Sequence, residues 1–272
     1  MKLSFTTLGC PGWDLDTIIT QAVKLGFDGV DFRGYREELA IYKLPEFSAQ
    51  AKTTARRFAD AGLEVPCFSS SARAFNPDAQ SRQASLEEVR QYARLCTLFG
   101  APYIRVFGGG IGSTPPTVAI DSASADLKAM FEIASDHGAR VLVETHDEWV
   151  DSDLLHRMIG DLDGDLAGVL WDVSNPYRQH GEPPELTWLN LGRYIEYTHW
   201  KDSRADPTHR EGYSYTHFGE GDMPLATILE LLKNGGYQGY LALEWEKRWH
   251  PELDEPEVAF PKFVETMRLL LE

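Results

Sequence analysis

Residues 234–245 read NGGYQGYLALEW: glycines behind a helical pattern, then an apolar run, then a carboxylate. The same joint recurs at residues 24–33 (KLGFDGVDFR), 60–69 (DAGLEVPCFS) and 136–145 (DHGARVLVET). Glycine suits a helix end because the left-handed backbone often needed there costs it no Cβ clash. The short apolar run after each joint reads as a strand and the amphipathic stretch before it as a helix.

Outward from these joints, apolar runs at 3–8, 29–33, 65–69, 103–107, 141–145, 168–173, 195–200 and 240–245 alternate with helix-like segments. The segments lie near 14–25, 47–61, 84–98, 119–136, 152–160, 186–191, 225–234 and 257–271. Eight βα units with no linker and no break in composition predict an α/β fold, a single (β/α)8 TIM barrel with residues 1–272 as one domain. A doubly wound open sheet is the competing arrangement. Its dinucleotide-binding version is disfavoured because no GxGxxG turn follows the first strand.

The 272 residues carry 26 Lys+Arg against 42 Asp+Glu, a formal net charge of −16. That balance argues against a nucleic-acid partner, since phosphate contacts are made mainly by Lys and Arg. Hydrophobic residues at 43% and charged residues at 25% match a soluble globular chain with a sizeable core. Cys10, Cys67 and Cys96 form no CxxC pair and no even set, so neither a disulfide framework nor a thiolate zinc site is expected. The N-terminus MKLSFTTLGCPGWDLD lacks a secretory apolar region and no run approaches a membrane span, so a cytoplasmic location and no membrane partner are expected.

A barrel places its site at the C-terminal ends of its strands. Four consecutive later strands end in polar groups: Glu144 in VLVETH, Asp172 in GVLWDV, His199 in YTHWKD and Glu244 in LALEWE, separated by 28, 27 and 45 residues. Adjacent strands lie about 4.8 Å apart, so inward groups from four of them can converge. Three carboxylates and an imidazole suit one divalent ion, Mn²⁺ first, with Mg²⁺, Co²⁺, Fe²⁺ or Zn²⁺ as alternatives. Taken singly, each residue is equally an ordinary strand-end polar group. Together, carboxylates meeting at a barrel mouth repel one another unless a cation keeps them ionised.

The strings VLVETH, WDVSNP, HWKDS, GEGDMP and LALEWE resemble those of the xylose isomerase-like TIM barrels, in particular the sugar phosphate isomerase/epimerase group with ketose 3-epimerases, hydroxypyruvate isomerase and inosose dehydratase. The resemblance implies metal ligands at Glu144, Asp172, His199 and Glu244, with Glu144 and Glu244 as the acid/base pair. It also implies a small carbohydrate substrate and permits a dimer or tetramer. The chemistry stands beside it: a metal polarising a carbonyl and its neighbouring hydroxyl stabilises an enediolate, and two carboxylates can move the proton. Epimerisation or isomerisation of a sugar or sugar phosphate is the expected reaction. Dehydration of an inosose or keto-sugar is the alternative, and a non-catalytic sugar-binding barrel a further one. An endonuclease IV-type activity fits poorly with eight histidines and a charge of −16.

Around this set, His146 shares a strand face with Glu144 and is a candidate for a substrate hydroxyl. Lys201 and Asp202 follow His199 and are candidates for orienting it or the substrate. Arg105 and Arg33 end their strands and are candidates for substrate oxygen, with a salt bridge to Glu144 or Asp31 as the alternative. Asn175 stands where many relatives have His, three residues after the strand-six Asp; it can bond a hydroxyl but cannot exchange a proton. Arg248 and Trp249 are candidates for a carboxylate or phosphate and for a sugar face. The stretch 203–223, with Arg204, His209, Arg210, His217 and Asp222, is expected as a loop, either a lid over the mouth or a solvated connection with Asp222 as a cap.

Overall fold

The computed structural model of the chain describes residues 1–160, 162 and 167–272. In chain order the strands are β1 (Lys2–Thr6), β2 (Gly29–Asp31), β3 (Cys67–Arg73), β4 (Tyr103–Phe107), β5 (Arg140–Glu144), β6 (Val169–Asp172), β7 (Ile195–Trp200), β8 (Asp202–Ala205), β9 (Tyr213–Thr216) and β10 (Tyr240–Leu243). Eight of them form one sheet in the order β2-β1-β10-β7-β6-β5-β4-β3, and every pairing in it is parallel. Parallel bridges Gly29 to Glu64 and Phe32 to Phe68 join its two edges, so the sheet rolls into an almost closed barrel. Closure removes the open edges that would invite pairing with another chain.

Helices α1 (Leu15–Leu25), α2 (Ala51–Asp60), α3 (Ala79–Phe99), α4 (Pro116–Ser135) and α5 (Ser152–Gly160) follow the first five strands. Then come α6 (Asn175–His180), α7 (Pro184–Leu191), α8 (Leu225–Asn234) and α9 (Pro256–Leu271). The glycines of the four quoted joints, Gly26, Gly62, Gly138 and Gly236, all have positive φ, as their positions at helix ends demand. Helix α1 shows the full local logic: Asp14 accepts from the Thr17 N–H at its start, and Gly26 at its end donates to the carbonyls of Ala22 and Val23.

Two differences from the sequence expectation matter for the site. The stretch expected as a loop at 203–223 contains an antiparallel hairpin, β8 with β9, in the register Asp202 to Thr216. Asp222 accepts from Arg178 and from the Ala205 N–H inside that region, and no side chain caps α8. Helix α6 is an additional turn and a half immediately after β6, begun at an Asn-Pro pair.

Alternation along the parallel strands organises the interior into tiers. The lowest is an apolar plug of Cys67, Leu142, Leu170, Tyr197 and Ala242, with Tyr103 packed against it. Two residues further along the same strands come Ser69, Glu144, Asp172, His199, Glu244 and Arg105, all buried. Two further still are Ser71, His146, Ser174, Lys201, Glu246 and Phe107. The plug lies beneath the polar tiers, whose upper residues line chambers beyond the strands' C-terminal ends.

Candidate metal centre

Glu144, Asp172, His199 and Glu244 come from β5, β6, β7 and the end of β10, four neighbours in the sheet. Asp172 and His199 are cross-strand partners, and the Glu244 N–H bonds the carbonyl of Trp200 at 2.8 Å. Each of the four offers one ligand atom, and these atoms lie within 4.8 Å of one another. All four side chains are buried.

Their remaining polar atoms are fixed by the protein. Asp172 Oδ1 accepts from the N–H groups of Ser174 and Asn175 at 2.9 and 3.0 Å, which ties it to the start of α6. His199 Nε2 lies 2.9 Å from Asp31 Oδ2, and Ser69 Oγ donates to Asp31 Oδ1 at 2.8 Å. This pairing keeps a proton on Nε2 and turns Nδ1 toward the cluster. Asp172 Oδ2, Glu144 Oε2 and His199 Nδ1 are buried without a hydrogen-bond partner. None of the three has an aligned hydrogen bond, although Asp172 Oδ2 and Glu144 Oε2 face cations at 2.8 and 3.1 Å, and all belong to one cluster of hard and borderline donors, the set that suits a divalent cation.

Fixed cations stand beside these atoms. Arg105 Nε lies 3.1 Å from Glu144 Oε2, near but not aligned for a hydrogen bond. Lys201 Nζ donates to Glu244 Oε2 at 2.8 Å and Glu246 Oε1 at 2.6 Å, and lies 2.8 Å from Asp172 Oδ2. Burial pushes the Glu144 carboxyl up, but Arg105 and then His199 outweigh it and hold the group at about 2. Glu244, opposed by the same burial, is held well below the carboxylate range by Lys201 and His199. Asp172 goes the other way: burial, with Glu244 and Glu144 close by, outweighs Lys201 and raises it to about 7. Burial lowers the basicity of His199, but Glu244, Asp31 and Glu144 reverse this and raise it well above the ordinary imidazole value. The metal-free cluster therefore binds protons where a cation would relieve the same charge.

Above these four residues the site opens into two adjoining chambers. The inner one, about 120 Å³, is lined by Arg33, Arg105, Phe107, Glu144, Glu244 and Trp249 among others. The outer one, about 490 Å³, is lined by Asn175, Arg178, Gln179, Tyr213, Tyr215 and His250 among others. His146, Lys201 and Glu246 line both and form the passage between them.

The sequence candidates fall unequally in this frame. His146 is half-buried, with its ring 4.6 Å from Phe107 and Nδ1 3.1 Å from Asp147 Oδ1. Asn175 lines the outer chamber, but its amide is engaged: Nδ2 donates to the Thr145 carbonyl at 3.1 Å and Oδ1 accepts from Gln179 at 3.0 Å. Trp249 is 48% exposed at the inner chamber's rim. Arg248 is turned away, donating to the carbonyls of Arg36 and Glu37, and lines neither chamber. Asp202 accepts from the N–H groups of Ser203, Gly219 and Gly221, anchoring the hairpin. His217 pairs with Asp254 at 2.9 Å, and Arg204 donates to the Glu220 carbonyl, both outside the two chambers.

Asp31 and the hairpin tyrosines were missed as site residues. Asp31 carried a readable signal, since it stands at a strand end in GVDFR as the four ligand candidates do in theirs. The YSYT alternation of β9 was the corresponding signal for Tyr213 and Tyr215.

Comparison with known proteins agrees with this architecture. The family profile described as "Xylose isomerase-like TIM barrel" matches residues 19–268. The fructoselysine 3-epimerase of Escherichia coli O157:H7 is 24% identical over 291 residues, covering 100% of this chain and 98% of that protein. Among solved structures, a D-tagatose 3-epimerase-like protein superimposes with a TM-score of 0.79 at 18% identity, covering 100% of this chain and 97% of the other. The IOLI protein, crystallised with a zinc atom, gives a TM-score of 0.83 at 17% identity over 99% of this chain and 98% of its own.

Proposed function

The chain belongs to the xylose isomerase-like TIM barrel family, and from that premise we propose that it is a divalent-metal-dependent epimerase or isomerase of a small polyhydroxy carbonyl compound. The observation that carries the reading is the convergence of Glu144, Asp172, His199 and Glu244 with three orphaned donor atoms among them. These four residues would hold the ion, with Mn²⁺ favoured by the oxygen-rich donor set. When bound, the ion supplies Lewis acidity for the charge that develops as a proton leaves the carbon beside a carbonyl.

The protein's own groups do the rest. Glu144 and Glu244 sit on the outermost of the four adjacent strands and flank whatever occupies the inner chamber. Arg105 and Lys201 keep both ionised at neutral pH, the state in which a carboxylate accepts a proton. Glu144 removes the proton from one face of the substrate, and Glu244 returns from the opposite face a proton drawn from the Lys201 ammonium that donates to it at 2.8 Å, inverting that carbon, after which exchange with solvent resets both groups. Return to the neighbouring carbon instead gives an aldose–ketose isomerisation. The named activity of the E. coli relative supports the first outcome. Lys201, with its ammonium engaged by three carboxylates, orients Glu244, His146 at the boundary of the two chambers would bond a substrate hydroxyl, and Asp31 holds a proton on His199 Nε2.

The test is wash-in of deuterium from D₂O into a panel of ketoses and keto-sugars by the Mn²⁺-loaded enzyme, with products identified by NMR. Glu144→Gln and Glu244→Gln are each expected to slow exchange by roughly 10²–10⁴-fold at saturating metal. Exchange at the wild-type rate in both variants would overturn the acid/base assignment.

A further inference from the structure

Arg33 stands two residues beyond Asp31, in the tier that faces the inner chamber, and only 7% of it is exposed. Its backbone N–H bonds Thr7 Oγ1 at 2.9 Å, and its guanidinium packs 5.6 Å from the Phe107 ring centroid. The guanidinium makes one hydrogen bond to the described residues, from Nη1 to Ser71 Oγ at 2.9 Å. A guanidinium carries five N–H donors, so most of its capacity is unused.

Its neighbours differ in a telling way. Arg105 has Glu144, Lys201 has three carboxylates, and Arg178 in the outer chamber has Asp222. Arg33 has no carboxylate within 4.0 Å among the described residues. The charges that face it from other elements are the Arg105 cation, which repels it, and the more distant Glu144 and Glu88. Burial first, and Arg105 second, lower its basicity to about 10, which still leaves it charged at neutral pH. A buried, charged fork without a counter-ion is a costly arrangement unless a ligand completes it.

We propose that Arg33 is the anion-binding element of the substrate site, so that the compound processed carries a carboxylate or phosphate group close to its reacting carbons. The proposal rests on the carbohydrate-enzyme reading above and adds the substrate's charge to it. The small volume of the inner chamber puts Arg33 and the two glutamates around the same few carbon atoms. A planar fork binds either oxyanion through two parallel hydrogen bonds. Arg248, the sequence's candidate for this task, is already bonded to two backbone carbonyls.

The experiment is calorimetric binding of xylonate, xylitol 5-phosphate and neutral xylitol to the Mn²⁺-loaded and chelator-stripped protein. Wild type is expected to bind at least one anionic polyol about tenfold or more tighter than xylitol, a tenfold ratio being about 1.4 kcal/mol. Preference for xylonate identifies a sugar acid, and preference for the phosphate identifies a sugar phosphate. Arg33→Gln is expected to erase the difference between anion and polyol, and Arg33→Lys, which keeps the charge but not the fork, to retain part of it. Metal content and melting curves of both variants establish that they fold. Equal binding of all three probes by wild type, no binding of any, or an anion preference that survives Arg33→Gln would each overturn the proposal. The two readings fail separately. Anion preference in the stripped protein without deuterium exchange in any substrate leaves Arg33 standing and removes the isomerase, whereas exchange of neutral ketoses without anion preference does the reverse.

Discussion

His199 offers Nδ1 to the cluster only while Nε2 keeps its proton, and Asp31, steadied by Ser69, is the group that keeps it there. Loss of such a partner typically weakens metal binding by about 10–100-fold. Asp31→Asn is therefore expected to raise the Mn²⁺ dissociation constant by that factor in a calorimetric titration, and an unchanged constant would remove Asp31 from the account. Asp172 governs the response to pH. Raised to about 7 by burial and by Glu244 and Glu144, it is protonated below that value in the metal-free protein. A cation must displace that proton and the one that His199 holds well above the ordinary imidazole value, so affinity is expected to fall steeply as pH drops through 7 and to go on rising above it. Stability of the stripped protein carries the opposite sign: the folded state holds more protons than the unfolded one between the ordinary carboxylate value of 3.8 and about 7, so the contribution of Asp172 declines as pH rises through that window. Glu144, depressed to about 2 from 4.5, contributes stability above 4.5 that is lost as pH falls toward 2.

The β8–β9 hairpin gives the outer chamber its tyrosine wall, and Asp202 accepts from its neighbour Ser203 and holds the returning chain through the N–H groups of Gly219 and Gly221. Gly221 belongs to the same lock, because a Cβ there would meet Asp202 Oδ1 at 2.0 Å and the Ser203 carbonyl at 2.4 Å. Asp202→Ala leaves those donors unpaired, an expected cost of about 1–3 kcal/mol. A lower melting temperature and a KM raised more than kcat is lowered are the expected readouts, with metal stoichiometry unchanged; a loss confined to kcat would contradict a wall role. The barrel strands were legible in the sequence because glycine joints and apolar runs are local signals, and β4 and β7 have the expected limits at 103–107 and 195–200. The hairpin was not, since its pairing joins Asp202 to Thr216 across a turn of polar residues. Helix α6 is only six residues long, too short to show a period. For Glu144, Asp172, His199 and Glu244, residue type and strand-end position were enough to foresee that they converge. Arg248 shows the limit of that reasoning, because proximity in sequence to Glu244 and Glu246 does not reveal that backbone carbonyls at 36 and 37 lie within reach of its guanidinium.

Strands β4, β5, β7 and β10 each contribute a plug residue, then a residue of the polar cluster, then a chamber wall, at steps of two residues. This geometry concentrates carboxylates at one end of the core, and a divalent ion that bound only the folded chain would stabilise it by mass action. Mn²⁺ at about 100 times its dissociation constant is expected to add about 2.7 kcal/mol, visible as a higher melting temperature that a chelator reverses. The most direct test of the account is calorimetric titration of Mn²⁺ into the chelator-stripped protein, wild type beside His199→Ala. About one ion per chain is expected in wild type, with binding weakened beyond about 100-fold in the variant. Absence of saturable binding in wild type, or equal binding in His199→Ala, would contradict the metal centre on which the proposed chemistry depends.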